Sequence, residues 1–192
     1  MLHTEIKKLI DQNPTRLFEE EKDYAIANNL ISADESTEIL PAGKRWADIY
    51  IERGHKETEE YLGEETPSFL KENISYLKTH QNEFIYVESK WFEILGIEGI
   101  IFEENDVFRT YDTIFGLKVQ KKHGDLLRKV ILEEFSADAK YSILFNGNDG
   151  LWDINLPISH LNGFSENMTI EEVLSLTYQL LFKLVWELER NK

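Results

Sequence analysis

Four residues, Asp48, Glu52, His55 and Glu59, have the types and spacing best suited to chemistry. Read as helix, they recur at i, i+4, i+7 and i+11 and form one stripe of candidate ligands. Glu52-Arg53-Gly54-His55 is also the Glu-x-x-His spacing of di-metal bundle centres. Such centres need a second pair, and none of His3, His80, His123 or His160 has a glutamate three residues before it. Gly54 further weakens a helix at that point. The expectation is therefore no metal, and an acidic helical face at Asp48, Glu52, His55 and Glu59 that meets a basic protein partner.

The search for a reaction centre assigns no catalytic residue. There is no Gly-x-Ser-x-Gly elbow, and the surroundings of Ser68, Ser75, Ser89 and Ser142 suggest no activation. Glu103 with Glu104, and Asp149 with Asp153, are carboxylate pairs of a kind that 36 acids generate by chance. Gly147 and Gly150 fall in a turn between two apolar segments, not between a strand and a helix as a nucleotide loop requires. The chain has no cysteine, which removes disulfides, thiolate metal sites and thiol nucleophiles. No cofactor is expected. A second candidate is a small-molecule pocket in the aromatic-rich middle, with Trp91, Phe92 and Trp152 as its walls.

Charge sets the classes of partner. The 192 residues carry 36 acids against 21 bases, a net charge of −15. Sixteen of those acids and only eight of the bases lie in residues 1–65. Phosphate backbones and anionic membranes are attracted by Lys and Arg, so neither nucleic acid nor membrane is expected as a direct partner. The cluster Lys118–Lys122, with Arg128 and Lys129, reads as the wet face of a helix. Hydrophobic residues make up 42% of the chain, enough to offset ordering entropy, so a folded protein is expected. Residues 1–8 lack the apolar run of a signal peptide, and Leu174–Leu188 is too short and too polar to span a bilayer. The expected location is the cytoplasm.

The elements that would position these groups read as α+β and mainly helical, in a single domain over 1–192. Its acidic helical part covers 1–80 and its mixed part 81–192. Leu2, Ile6 and Ile10 predict a first helix. Asn13-Pro14 opens a second, running to about Leu30, and Pro41 opens another through Trp46, Ile49 and Tyr50. Thr66-Pro67 starts one through Phe69, Ile74 and Leu77. Phe84–Val87 is a strand or a helix tail, with strand favoured; Ser89–Gly96 is a short capped helix, and Gly99–Glu103 is a strand. Asp106 is expected to cap a helix striped by Val107, Phe108, Tyr111, Ile114 and Phe115. Leu127, Val130, Ile131 and Phe135 make a further stripe.

Residues 141–156 form the clearest hairpin, two apolar segments joined by Asn-Gly-Asn-Asp-Gly. The small antiparallel sheet is expected to include this hairpin. Thr169-Ile-Glu-Glu172 is a capping box. The helix it opens is apolar over more than half its circumference, so it is either central to the core or shared with a second subunit as a homodimer. The central reading is preferred.

Three segments, 82–92, 113–122 and 144–152, resemble a family of small, acidic, uncharacterised cytosolic proteins of Gram-positive bacteria. Some members carry the label branched-chain amino acid aminotransferase. That chemistry needs a Schiff-base lysine, a phosphate cup and a partner for the pyridine nitrogen. No residue here can be assigned to any of the three. The resemblance implies a cytosolic setting. Together these readings favour a non-catalytic interaction module, with a small-molecule binder or enzyme as the alternative.

Overall fold

Alternation with a period of two, strongest between residues 83 and 157, builds the largest structure in the chain. The computed structural model describes residues 2–13, 15–136 and 138–191. Its elements in chain order are α1 (Leu2–Gln12), β1 (Arg16–Leu17), α2 (Glu19–Ala27), β2 (Glu38–Ile39), β3 (Tyr50–His55), β4 (Tyr61–Glu65), α3 (Tyr76–Thr79) and β5 (Glu83–Glu88). Next come α4 (Lys90–Ile94), β6 (Gly99–Glu104), β7 (Tyr111–Leu117), α5 (Gly124–Glu134), β8 (Ser142–Asn146), β9 (Leu151–Pro157) and α6 (Ile170–Arg190). Seven strands form one antiparallel sheet in the order β4-β3-β5-β6-β7-β9-β8, and β1 pairs with β2 in a separate parallel pair.

Register explains which side chains enter the core. Ile51, Val87, Ile100, Phe115, Ile154 and Ile143 stand opposite one another across successive strands. All six are buried, so this row forms the floor of the core. Their neighbours one residue along point the other way. The helices supply the roof. α6 starts at its capping box, in which Thr169 Oγ1 accepts from the Glu172 amide (3.3 Å) while Glu172 Oε2 accepts from the Thr169 amide (2.7 Å). α6 contacts α1, α2 and α5 as well as the 3-10 turns at Ala42–Trp46 and Pro67–Lys71. Tyr178, Leu181 and Phe182 are buried by these elements of the same chain, each contributing on the order of 1.5–3 kcal/mol. The central reading of the last helix describes its packing.

Several helical expectations are corrected. The described residues are 41% helix and 26% strand, and the sheet is the larger organising element; the protein is not mainly helical. The run from Pro41 contains only the 3-10 turn Ala42–Trp46, and the charged segment after it is the β3–β4 hairpin. Tyr50–His55 pairs on both sides, with β4 and with β5, and these ladder bonds override the helical spacing of its acids. Residues 111–117 are a strand that turns Tyr111, Thr113, Phe115 and Leu117 to the core, with Asp112 buried as well, while Asp106 to Arg109 make the turn before it. The segment from Thr66 holds a 3-10 turn and the single turn of α3 rather than one helix. Pro14 lies outside the described residues; after it the chain forms β1 before α2 begins at Glu19. Since β3 and β4 fall within residues 1–80, that part is not a helical unit apart from the sheet. The strands at Phe84–Val87 and Gly99–Glu103, the 141–156 hairpin, the first helix, the Ser89-capped helix and the capping box match the structure. Among the described residues no helix is long and apolar enough to cross a membrane.

Candidate functional site

The predicted acidic stripe is dispersed. Asp48 lies in the turn before β3, highly exposed, 3.8 Å from Lys90 Nζ. Glu52 is on β3 and accepts from the Tyr50 hydroxyl at 2.7 Å. His55, three residues later, falls on the opposite face of the strand. Its Nδ1 accepts from the backbone amides of Glu57 (3.3 Å) and Thr58 (3.4 Å). Glu59 occupies the hairpin turn with φ of 55°. No helix face unites the four. Among the described residues no group of three or more His, Asp or Glu is placed to hold a metal ion.

Acidity gathers instead on the face of the sheet turned away from the core. One row across it reads Glu64, Glu52, Tyr86, Ile101, Ile114 and Asn155. A second contains Phe84, Glu103 and Asp112, and a third Tyr50, Glu88 and Gly99. Asp153 and Leu144 stand opposite each other further along the same face. No strand position of this face carries Lys or Arg; Lys56 sits just beyond β3, near Glu103, and Lys118 just beyond β7.

Two pairs of like charge lie directly across strands on this face, Glu52 with Glu64 and Glu103 with Asp112. Such pairs are destabilising in isolation. Here neighbouring donors relieve them. Tyr50 donates to Glu52, and Asn105 (3.0 Å) and Thr110 (2.7 Å) donate to Asp112. The bond to Glu52 pushes the Tyr50 hydroxyl up to about 12. Burial raises the Glu103 carboxyl above its ordinary value; Lys56 opposes the shift, and Asp112 and Asp106 add to it. Aromatic rings cover two glycines of this face, Gly54 and Gly99. A Cβ at Gly54 would lie 2.2 Å from the Phe84 ring, and one at Gly99 2.5 Å from the Tyr86 hydroxyl. A depression of about 520 Å³ lies here, bounded by Tyr86, Gly99, Ile101, Ile114, Gly116 and Asp153 among others.

Of the three predicted pocket aromatics, Trp91 lines a cleft, whereas Phe92 and Trp152 are buried. Trp91 stands at the start of α4 beside this cleft of about 500 Å³, whose other walls include Leu9, Leu17, Phe18 and Leu40. Phe92, the next residue, is fully buried and packs 5.6 Å from the Trp46 ring. Trp152 is far along the sheet, where its indole N–H donates to the Val119 carbonyl at 3.1 Å and its ring fills the space at Gly124. Trp91 and Trp152 are not brought together.

Behind the cleft sits a buried charge cluster. The Arg45 guanidinium is enclosed between the rings of Phe18 (4.1 Å) and Tyr178 (3.9 Å). Its Nη2 donates to Glu21 Oε2 at 2.7 Å and to Glu20 Oε2 at 2.9 Å, and the Tyr178 hydroxyl donates to Glu21 Oε1 at 2.7 Å. Burial raises the Glu21 carboxyl, against the pull of Arg45 and Tyr178, and burial also raises the Tyr178 hydroxyl. Sequence reasoning passed over Phe18, Glu21, Arg45 and Tyr178. Their only visible signal was charge beside apolar residues, at Phe18-Glu19-Glu20-Glu21 and Arg45-Trp46. Separations of 24 and 157 residues hide the pairing.

A scan against family models finds no match for this chain, and neither the curated proteins nor the solved structures yield one. The three segments that carry the resemblance to small Gram-positive proteins lie mostly on sheet strands. They are β5 with the start of α4, β7 with the five residues after it, and the β8–β9 hairpin.

Proposed function

We propose that this is a non-catalytic cytoplasmic interaction protein, and that the uncovered face of its sheet receives a basic segment of another protein. The supporting observation is the pair of like-charge registers on that face, Glu52 opposite Glu64 and Glu103 opposite Asp112, with no basic residue at any strand position there. A cationic partner removes the repulsion that remains after Tyr50, Asn105, Thr110 and Lys56 have relieved part of it. Tyr50, Phe84 and Tyr86 add half-buried aromatic surface that can lie against the aliphatic stems of Lys and Arg. The hairpin tip at one end exposes Val107 and Phe108, which extends the apolar contact. Nucleic acid and anionic membrane are disfavoured at this face on the same electrostatic grounds.

The test is a photo-crosslinking residue at Leu144, an exposed position of the face. The expected product at low salt is a basic protein, lost at high salt and lost in the triple variant Glu52→Lys, Glu88→Lys, Asp153→Lys. Capture that is indifferent to both salt and charge reversal would discard the reading.

A further inference from the structure

The cleft beside Trp91 inverts the charge of the whole molecule. Its lining carries Arg16, Lys44, Arg45 and Lys90 against Glu21 and Asp48, in a chain where acids outnumber bases by 36 to 21. Two of these cations are committed. Arg16 pairs with Glu38 at 3.0 Å, and Arg45 with Glu21 and Glu20. Lys90 is held loosely, 3.8 Å from an exposed Asp48. Lys44 has no ion-pair partner among the described residues, and it stands at the rim.

A second, independent observation comes from Arg45. Its side chain is closed off from solvent, yet Nε and Nη1 have no hydrogen-bond acceptor. Buried donors in native proteins almost always have one, supplied by protein, water or ligand. Cδ lies between Nε and Nη1, so these free N–H groups form no bidentate fork, but each offers a charge-assisted hydrogen bond to one carboxylate oxygen. The remaining walls are apolar, with Leu9, Leu17, Leu40 and the Phe18 and Trp91 rings. Glu21 and Asp48 in the same lining would repel a doubly charged head group such as phosphate, so a single negative charge fits best.

We infer that this cleft binds a small organic monocarboxylate with an apolar body. The carboxylate meets Lys44 at the rim and a free N–H of Arg45 on the floor, and the body lies against Leu17, Leu40 and Trp91. Because Arg45 is enclosed, reaching it requires the Phe18 or Trp91 ring to swing aside, which makes Trp91 emission the direct reporter. The site is distinct from the sheet face, and neither proposal depends on the other.

The experiment titrates the full chain with hexanoate and phenylacetate, with their neutral amides and with inorganic phosphate, each up to about 10 mM. Tryptophan fluorescence and melting temperature are the readouts. Saturable binding of the carboxylates is expected, with the amides and phosphate at least about tenfold weaker. Lys44→Ala should weaken carboxylate binding by a similar factor while leaving the melting temperature of the free protein unchanged. Trp91→Phe should abolish the fluorescence change and, because the smaller ring offers the ligand body less contact, reduce the thermal shift. Absence of carboxylate binding, equal binding of amides, tighter binding of phosphate, or indifference to Lys44→Ala would each overturn the assignment.

Discussion

The cleft beside Trp91 and the depression on the uncovered sheet face enclose nearly equal volumes, about 500 and 520 Å³, yet their linings carry opposite charge. Four cations face two acids in the first; in the second, Lys118 alone faces Glu93, Glu98 and Asp153. A net charge of −15 is therefore an average over surfaces that select different partners. The difference has a structural origin. The sheet face is made by neighbouring strands, so its acids sit where alternation puts them. The cleft joins residues 9–21, 40–48 and 90–91, which meet only when helices close over the sheet.

The largest expected effect breaks the cleft and leaves the sheet face alone. Arg45→Met strips Glu21 of its cation and leaves a carboxylate fully buried beside Glu20. Removing one member of a buried pair costs about 3–5 kcal/mol. Urea denaturation should show that loss in the midpoint, while crosslinking at Leu144 in the folded protein persists. A neutral outcome would mean that the buried pair contributes no net stability and that methionine packs equally well between the two rings.

A middle-sized effect perturbs the sheet face and spares the cleft. Gly54→Ala drives a methyl group into the Phe84 ring, which must swing outward. Overpacking of this kind costs about 1–3 kcal/mol, and the lower end is expected because Phe84 is only half-buried. The displaced ring should reduce capture at the face, and carboxylate binding in the cleft should be unchanged. Coupled loss of both would show that the two regions are not independent.

These two regions were unequally legible in the sequence. The strand at Gly99–Glu103 and the hairpin at 141–156 could be read because β-branched residues and Gly-Asn turns act locally. The helix expected over Asp48–Glu59 failed because its acids satisfy helical spacing and strand alternation leaves no stronger trace there. Pairing with β4 and β5 decides between them, and β5 is some 30 residues away. Residues 106–115 failed for a related reason. Val107 and Phe108 looked like a buried stripe with Tyr111, but they sit exposed on the hairpin tip. Trp91 was found because aromatics draw attention at any position. Arg45 was not, since a buried cation is recognisable only from the carboxylate and rings that enclose it.

The smallest effect tests the electrostatics of the sheet face. Glu103 has its carboxyl raised, chiefly by burial, with Asp112 and Asp106 adding and Lys56 opposing. A carboxyl raised in the folded state holds its proton to higher pH than it does in the unfolded chain. Its favourable contribution is complete below the unfolded value and disappears as pH rises through the folded one. At neutral pH the ionised group is a cost, and Glu103→Gln removes it. The variant should be more stable than the parent at pH 7 by up to about 0.5 kcal/mol, a typical limit for partly exposed sites. That gain should vanish toward about pH 4, where the parent carboxyl is itself becoming neutral. Melting curves at the two pH values measure the difference directly. A basic partner bound to the face should shrink the neutral-pH gain, because its cations compensate Glu103 where Gln offers nothing. An equal gain at both pH values would assign the effect to packing and leave the like-charge register with Asp112 without an energetic role.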